Sequence, residues 1–257
     1  MLLAASAGAG IVSADLLFCS RRLRNFFLVL IAEENRIESV QNQTLMNMWA
    51  IRGAPLIIGC NIATVPQEII DILTNSEVIA VDQDPLCAQG RKVREDLPGV
   101  QVYSKPLGRY TSGDRAVLLL NRSAQPADVT VHWSDLGLLS GSLDVRDVVR
   151  HQNLGAHADG FTARQLPPDD SMLLKVTGGK FDWSKPQEYE AESALNRLGG
   201  TARFHAFCPG FSSGAMVDGI GDGAANYLQF NQIDAPKKGK YVMTLYYASK
   251  ADPTMKG

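Results

Sequence analysis

The chain has 257 residues, of which 45% are hydrophobic and 20% are charged, and its net charge is −2 at neutral pH. This length suits more than one domain, since a domain commonly spans roughly 100 to 200 residues. The charge balance lacks the basic surplus that binds a phosphate backbone, so nucleic acid is excluded as a partner. No segment approaches the ~20 uninterrupted apolar residues of a transmembrane helix, so a membrane is excluded as well.

Cysteine usage and the N-terminus leave the compartment open. The four cysteines form no CxxC or Cys/His metal spacing and are too scattered to imply a disulfide framework. Residues 1–14 are small and apolar, as in a secretory signal, but they lack a basic start and are interrupted by Gly8 and Gly10. Two glycosylation sequons, at Asn42 and Asn121, matter only if the protein is secreted, and the sequence does not tell whether either is used.

Residues 1–40 match no recognisable unit and stay unassigned; translated intron or a misplaced exon would explain such a stretch. From Gln41 the apolar residues Leu45, Met48 and Trp49 have helical spacing, and Gly53 with Pro55 predicts the end of this helix. The short apolar run that follows, Leu56-Ile57-Ile58, predicts a buried strand.

A second helix is predicted from about Val65 to Leu73. Thr64 and Gln67 have the spacing of a capping box, and Asn75 is a suitable stop. The order of helix, buried strand and helix is typical of an α/β protein.

After residue 97 the chain is predicted to be mostly β. Six segments alternate apolar and polar residues between turn signals, namely 100–105, 115–121, 127–133, 143–149, 160–166 and 171–177. In one of them Val129, Val131 and Trp133 share a face. This pattern predicts an antiparallel β-sandwich over residues 97–178. Residues 179–187 are predicted to be a linker. A second pattern of alternating residues, which predicts further β-strands, follows in Tyr227–Phe230 and Tyr241–Tyr247.

The middle of the chain resembles a known enzyme family in its consecutive motifs. These are Met48-Trp49-Ala50-Ile51, Ala54-Pro55-Leu56-Ile57-Ile58-Gly59, the run Glu77 to Leu86 with Gln89-Gly90-Arg91, Leu119-Leu120-Asn121-Arg122-Ser123 and Trp133-Ser134-Asp135-Leu136-Gly137-Leu138. They resemble, in order, the end of the catalytic barrel and the C-terminal sandwich of the α-galactosidases of glycoside hydrolase family 27. The resemblance implies a (β/α)8-barrel remnant over residues 41–96 and an α+β multidomain chain. Asn61 departs from it, standing where the family usually has an aspartate.

Residues 188–257 are similar to another module, the jelly-roll carbohydrate-binding modules of some glycosidases. The resemblance implies a partial, truncated β jelly-roll in which Glu190 and Glu192 hold a structural calcium ion. These two glutamates would share one strand face, which suits a hard cation. A solvated acidic pair on an edge strand explains the same residues equally well.

Retaining glycoside hydrolysis needs two carboxyl groups about 5 to 5.5 Å apart. The family carries them as aspartates on its fourth and sixth barrel strands, whereas only Asp15 precedes Asp71 here. Asp82 and Asp84 would share a face if their segment were extended, but Pro85 and the family position argue against catalysis. We therefore predict no catalytic residue and no catalytic cofactor.

The resulting hypothesis is a catalytically incomplete chain of the α-galactosidase family, whose full-length members release terminal α-D-galactose with retention. The resemblance implies galactose-containing oligosaccharides or plant polysaccharides as partners and an extracellular location. A non-catalytic carbohydrate-binding protein is the alternative. The sequence leaves the oligomeric state, the linkage preference and the sugar bound by the last module open.

Overall fold

The structure, a computed structural model, describes residues 3–4, 29–30, 39–59, 61–191, 193, 195–206, 215–221 and 223–247. Its first part combines three short strands with three helices. In chain order these are β1 (Leu3–Ala4), β2 (Val29–Leu30), α1 (Ser39–Arg52), β3 (Ile57–Ile58), α2 (Gln67–Thr74) and α3 (Ser76–Asp82). Strand β3 lies between β1 and β2 and is parallel to both. The predicted order of helix, strand and helix is confirmed, and α3 adds a helix that the sequence pattern did not predict.

Helix α1 forms where the apolar spacing predicted it. Met46, Trp49 and Ala50 are buried in the core, because residues three and four positions apart lie on one helical face. The helix ends before Gly53, whose φ of +63° is a left-handed conformation that glycine adopts at little cost.

Helix α2 confirms the second predicted helix, but the predicted capping box is wrong. Pro66 occupies the N-cap position without any side-chain cap, and the Thr64 hydroxyl instead donates to the carbonyl of Asn61 at 3.2 Å. The hydroxyl is thus satisfied inside the preceding turn and does not reach the helix. Asn75 ends α2 as predicted, and it also caps α3 by accepting from the main-chain N–H of Val78.

The centre of the chain is an antiparallel β structure of eight strands. They are β4 (Arg91–Leu97), β5 (Val100–Pro106), β6 (Arg115–Asn121), β7 (Ala127–His132), β8 (Ser142–Asp147), β9 (Gln152–Ala158), β10 (Gly160–Leu166) and β11 (Ser171–Thr177). Six of them form a sheet in the order β4-β5-β6-β11-β8-β9, and β7 pairs with β10 in a second sheet. All six predicted strands are present. The patterns of β4 and β9 gave no signal because these exposed edge strands lack apolar alternation.

Three layers follow from the burial of these strands. All seven residues of β6 are buried, as in a strand that is covered on both faces. Val117 and Leu119 face β7 and β10 and share a core with Val129, Val131 and Trp133, whose common face was predicted. Leu118 and Leu120 face the other way and share a core with the helices. The six-stranded sheet therefore separates the helical layer from the two-stranded sheet.

The last part of the described chain contains two small antiparallel pairs. Strand β12 (Arg197–Gly199) pairs with β15 (Tyr227–Gln229), and β13 (Arg203–Ala206) pairs with β14 (Ala215–Asp218). Strand β15 confirms the alternation seen in the sequence, whereas the strand expected over residues 241–247 is wrong. Those residues are exposed and belong to no sheet. An alternating segment forms a strand only where a neighbouring strand accepts and donates its main-chain hydrogen bonds.

The segment between the sandwich and this last part is packed against the sandwich. Phe181 forms a β-bridge with Leu138, and Asp182 donates its main-chain N–H to the carbonyl of Gly137 at 2.9 Å. Among the residues that the structure describes, no helix is long and apolar enough to cross a membrane.

Candidate functional site at the helix–sheet junction

The carboxyl end of β3 is the place where a parallel barrel would carry its chemistry. Asn61 follows this strand closely and is exposed, and its Oδ1 accepts from the main-chain N–H of Ala63 at 3.1 Å. Its carbonyl accepts from the N–H of Thr64 at 3.0 Å. The side chain is an amide that stabilises its own turn, and it offers neither a general acid nor a nucleophilic carboxylate.

The end of α3 holds a buried carboxyl group. Asp82 is 3% exposed, its Oδ2 accepts from Gln83 Nε2 at 3.2 Å, and its Oδ1 has no hydrogen-bond partner among the described residues. Burial raises the pKa of Asp82 to about 7, although the nearby charge of Lys105 acts in the opposite direction.

Lys105, on β5, is fully buried at the same junction. Its Nζ donates to the carbonyl oxygens of Val81 at 2.7 Å, Asp82 at 3.2 Å and Ala50 at 3.4 Å. One ammonium group therefore joins a sandwich strand to the last residues of both α1 and α3. These carbonyls lie at the C-terminal ends of helices, where the negative end of the helix dipole favours a cation.

Asp84 binds main-chain amides and does not pair with Asp82. Its two carboxylate oxygens accept from the N–H of Gly108 at 3.0 and 2.9 Å, and Oδ1 also accepts from Leu86 N at 3.0 Å. Asp82 is the last residue of a helix and Asp84 lies in the turn after it, so the extended geometry considered for this pair is wrong. Capping by the Asn75 side chain, which accepts from the main-chain N–H groups of Glu77 and Val78, stabilises a helix here.

A second ionic link joins α3 to β8. Glu77 accepts from Arg146 Nε and Nη2, each at 2.6 Å, and from His151 Nδ1 at 2.7 Å. Hydrogen bonding from Arg146 and His151 lowers the pKa of Glu77 to about 2, although partial burial opposes this. Arg146 thus presents the two-pronged geometry that suits carboxylates.

Polar side chains complete the junction on both sides. Asn75 Nδ2 donates to the carbonyls of Val148 and Val149, each at 3.2 Å. On α1, Asn47 Nδ2 donates to the Ser171 hydroxyl of β11 at 3.0 Å. Each of these two amide groups has a structural partner, so they position the helical layer relative to the sandwich.

Comparison with known proteins agrees with this geometry. The family model described as "Alpha galactosidase A" matches residues 27–84, and the model described as "Alpha galactosidase C-terminal beta sandwich domain" matches residues 98–176. These two segments belong to the α-galactosidase family. They meet at the junction formed by Asp82, Asp84 and Lys105.

Individual α-galactosidases support the assignment. The chain is 39% identical over 135 residues to "Alpha-galactosidase 3" of Arabidopsis thaliana and 40% identical over 133 residues to "Alpha-galactosidase" of Oryza sativa subsp. japonica; each alignment covers 51% of this chain. It spans 30% of the length of each of these relatives. Alpha-galactosidase I from Mortierella vinacea has the same fold over 60% of this chain and 39% of its own, with a TM-score of 0.55 and 24% identity.

Of the two glutamates expected to bind calcium, the structure describes only Glu190. The Glu190 carboxylate is bound by the guanidinium of Arg91, which also binds Glu188. Glu192 lies outside the described residues. Within the described residues, no group of three or more His, Cys, Asp and Glu side chains is close enough to hold a metal. A calcium ion at Glu190 would face a positive charge, so this environment does not fit the ion.

The two sequon asparagines of the α-galactosidase segments are both buried. Asn121 Nδ2, the atom that a glycan would occupy, donates to the carbonyls of Gln125, Leu166 and Pro167 at 2.8, 2.8 and 3.1 Å. The Asn121 sequon is thus a structural element of this fold.

Sequence reasoning missed the buried Lys105 and the buried Asp82. Their ordinary sequence context gives no indication that either is buried, because a lysine or aspartate in an alternating or helical segment is usually solvent-exposed. Asn75 was identified only as a helix stop, although the Asn-Ser-Glu sequence contains a capping residue directly before a further helix.

Proposed function

We propose that residues 39–177 are the end of the catalytic barrel and the C-terminal sandwich of a retaining α-galactosidase, and that they support a barrel whose carboxylates lie elsewhere. Its substrates would be galactose-containing oligosaccharides or plant polysaccharides. The observation that carries this proposal is the helix–sheet junction, where a barrel-side segment and a sandwich segment of the same family meet through Lys105.

The first part of the fold is compatible with a barrel remnant. Strand β3 has a parallel neighbour on each side, and α1 and α2 flank it in sequence. Consecutive parallel strands joined through helices are the repeating unit of a (β/α)8 barrel. The C-terminal ends of such strands bear the active site of a barrel, and the exposed Asn61 follows the C-terminal end of β3.

The chain itself is expected to be catalytically incomplete. By family resemblance the nucleophile and the acid/base are aspartates of two earlier barrel strands, and the carboxylates of the junction are engaged in other contacts. Asp84 binds main-chain amides, Glu77 binds Arg146, and Asp82 is buried at the end of a helix. None of these arrangements provides a carboxyl pair open to a sugar.

Assay of the purified 257-residue chain with a chromogenic α-galactoside tests this incompleteness. We expect no release of the chromophore above background. Turnover that is lost in Asp15→Asn, or in Asp82→Asn and Asp84→Asn, would show that the chain carries its own catalytic group and would overturn the proposal. Glu68→Gln, on the exposed face of α2, is the matched control.

A segment exchange tests the supporting role directly. Residues 39–177 would replace the matching segment of the Arabidopsis relative, and α-galactoside hydrolysis of the chimaera would be measured. We expect activity to be retained, and to be lost together with thermal stability when the chimaera carries Lys105→Met. A chimaera that folds, as shown by a cooperative melting transition, but does not hydrolyse the substrate contradicts the proposal.

We further propose that residues 188–247 belong to a carbohydrate-binding module with a jelly-roll fold, and that the protein acts outside the cell. Two antiparallel pairs and the exposed aromatic side chains of Tyr241, Tyr246 and Tyr247 support this, since exposed aromatic rings suit the apolar faces of sugars. Affinity gels containing galactomannan test it: retardation relative to a gel without polysaccharide is expected, and unchanged mobility contradicts it.

A further inference from the structure

The loop between β5 and β6, residues 107–114, is held rigidly from within the sandwich. Arg115, which is 3% exposed, donates to the carbonyl oxygens of Tyr110, Ser112 and Asp114 at 3.3, 2.5 and 2.9 Å. The guanidinium therefore donates hydrogen bonds to several loop carbonyl oxygens that would otherwise need water as their donor. Burial lowers the pKa of Arg115 to about 10, a value at which it still carries its charge at neutral pH.

The same loop is fixed at its start by the barrel-side segment. Asp84 accepts from the N–H of Gly108, and Leu107 N donates to the carbonyl of Asp114 at 3.2 Å, which closes the loop. A surface that is fixed from two sides can bind a partner without a large loss of conformational entropy.

This fixed loop contacts the C-terminal part of the chain. Arg109 Nη2 pairs with Asp234 Oδ1 at 2.6 Å, and the Thr111 hydroxyl donates to Asp234 Oδ2. Tyr110 meets Tyr189 edge to face, with ring centroids 5.5 Å apart, and the Tyr189 hydroxyl accepts from Asp234 N at 3.1 Å. The Asp234 side chain is only 19% exposed, so these contacts cover most of it.

Arg91 supplies a second point of attachment. It lies at the first position of β4 and binds Glu188 and Glu190, which flank Tyr189. Two arginines of the sandwich part thus face three carboxylates of the C-terminal part. The charges of the two parts are complementary in sign, and the contact between Tyr110 and Tyr189 adds an aromatic interaction to these ion pairs.

We infer that the β5–β6 loop together with Arg91 is a docking surface for residues 188–191 and 227–234 of the same chain, and that Glu190 serves this docking and not a calcium ion. The surface fits a partner segment with carboxylates on both sides of a tyrosine. The inference does not depend on the proposed hydrolase activity, because it concerns contacts within the chain.

Salt should weaken this docking, since the Debye length falls from about 10 Å at 0.1 M to about 3 Å at 1 M ionic strength. Hydrogen exchange of the full 257-residue chain, followed by mass spectrometry, reports the opening of peptides from residues 188–199 and 227–234. We expect their exchange to rise about three- to tenfold at 1 M NaCl, while peptides from β6 remain protected and confirm that the sandwich is folded.

Single charge removals should give the same change at low salt. Asp234→Asn and Arg109→Gln are expected to speed exchange in residues 188–199, and the reversed pair Arg109→Asp with Asp234→Arg is expected to restore part of the protection. Arg164→Gln, which removes an exposed ion pair with Asp128 on the other sheet, is the control and should change nothing there. Unchanged exchange in Asp234→Asn and Arg109→Gln would falsify the docking surface.

Calcium titration separates the two roles of Glu190. Calorimetric titration with CaCl2 is expected to show no saturable binding heat that is present in the wild-type chain and absent in Glu190→Gln. Without calcium, Glu190→Gln should speed hydrogen exchange in residues 188–199. Saturable calcium binding that is absent in Glu190→Gln would overturn the assignment of this carboxylate to docking.

Discussion

Lys105 Nζ donates to the main-chain carbonyl of Asp82 at 3.2 Å, while the Asp82 side chain is buried beside it with Oδ1 unpaired among the described residues. The cation thus satisfies the helix end, and its charge also opposes the cost of burying the carboxylate. Because burial raises the pKa of Asp82 in the folded chain, the stability of this junction between a helix and a sheet strand depends on the protonation state of Asp82.

The first prediction concerns pH. The pKa of Asp82 is raised from 3.8 to about 7, so the folded chain binds a proton that the unfolded chain releases between these values. Stability from this group is complete below pH 3.8 and is lost as the pH rises to about 7. Asp82→Asn should flatten this slope and raise the free energy of unfolding at pH 8 by about 1 to 3 kcal/mol, since it removes a buried charge.

Urea unfolding of the wild type and of Asp82→Asn at pH 5 and pH 8 measures this. Asp71→Asn, an exposed change on α2 that affects only a hydrogen bond to Gln67, is the control. Equal pH slopes in wild type and Asp82→Asn would contradict the prediction.

The second prediction concerns Lys105. Lys105→Met leaves the carbonyls of Ala50, Val81 and Asp82 without this donor and the Asp82 carboxylate without its nearby cation. We expect a loss of about 2 to 4 kcal/mol at pH 8, because buried polar groups lose their partner. Thermal and urea unfolding measure it, with Lys175→Met at an exposed position of β11 as the control.

A double-mutant cycle makes the Lys105 prediction specific. The double variant Lys105→Met/Asp82→Asn should lose less free energy of unfolding than the sum of the changes caused by Lys105→Met and by Asp82→Asn separately. Strict additivity would mean that the two side chains do not interact.

The elements of the fold could be predicted from sequence where apolar periodicity was strong. The spacing of Met48 and Trp49 gave α1, and the alternation of Val129 and Val131 gave β7 with its buried face. Helix α3 and the edge strand β9 could not be found this way, since one depends on capping by Asn75 and the other exposes most of its residues. Apolar periodicity reflects the burial of one face of an element, so it does not predict elements that are only slightly buried.

The site was harder to predict for a different physical reason. Glu77 and Arg146 are 69 positions apart, and their contact exists only because α3 packs beside β8. The pattern of a single sequence records local spacing and contains no information about such distant pairs. The family resemblance located the segments of the junction but did not reveal the ion pair of Glu77 with Arg146 or the buried contacts of Lys105.

The third prediction concerns acid stability. The pKa of Glu77 is lowered from 4.5 to about 2, so its contribution is present above pH 4.5 and is lost as the pH falls through about 2. Because the group is partly exposed, Glu77→Gln should lower the free energy of unfolding at pH 7 by only about 1 kcal/mol, a value discounted for solvent screening. At pH 2 the difference should nearly vanish. Chemical denaturation at both values tests this, with Glu68→Gln as the control; a larger loss at pH 2 than at pH 7 contradicts it.

The last prediction concerns the Asn121 sequon. Expression through the secretory pathway of a eukaryotic host should yield folded chain without a glycan on Asn121, because its Nδ2 atom donates to three carbonyl oxygens in the core. Asn121→Ala should lower the free energy of unfolding by about 1 to 3 kcal/mol, since those carbonyls lose their buried donor. Ser123→Ala removes the sequon while leaving Asn121 in place; it should cost less, because it removes only the hydroxyl's bonds to Asn121 Oδ1 and the Gln125 carbonyl. Mass spectrometry of the peptide after glycosidase treatment measures occupancy. A glycan on Asn121 in the fraction that melts cooperatively would show that this asparagine does not reach its buried position in the folded chain.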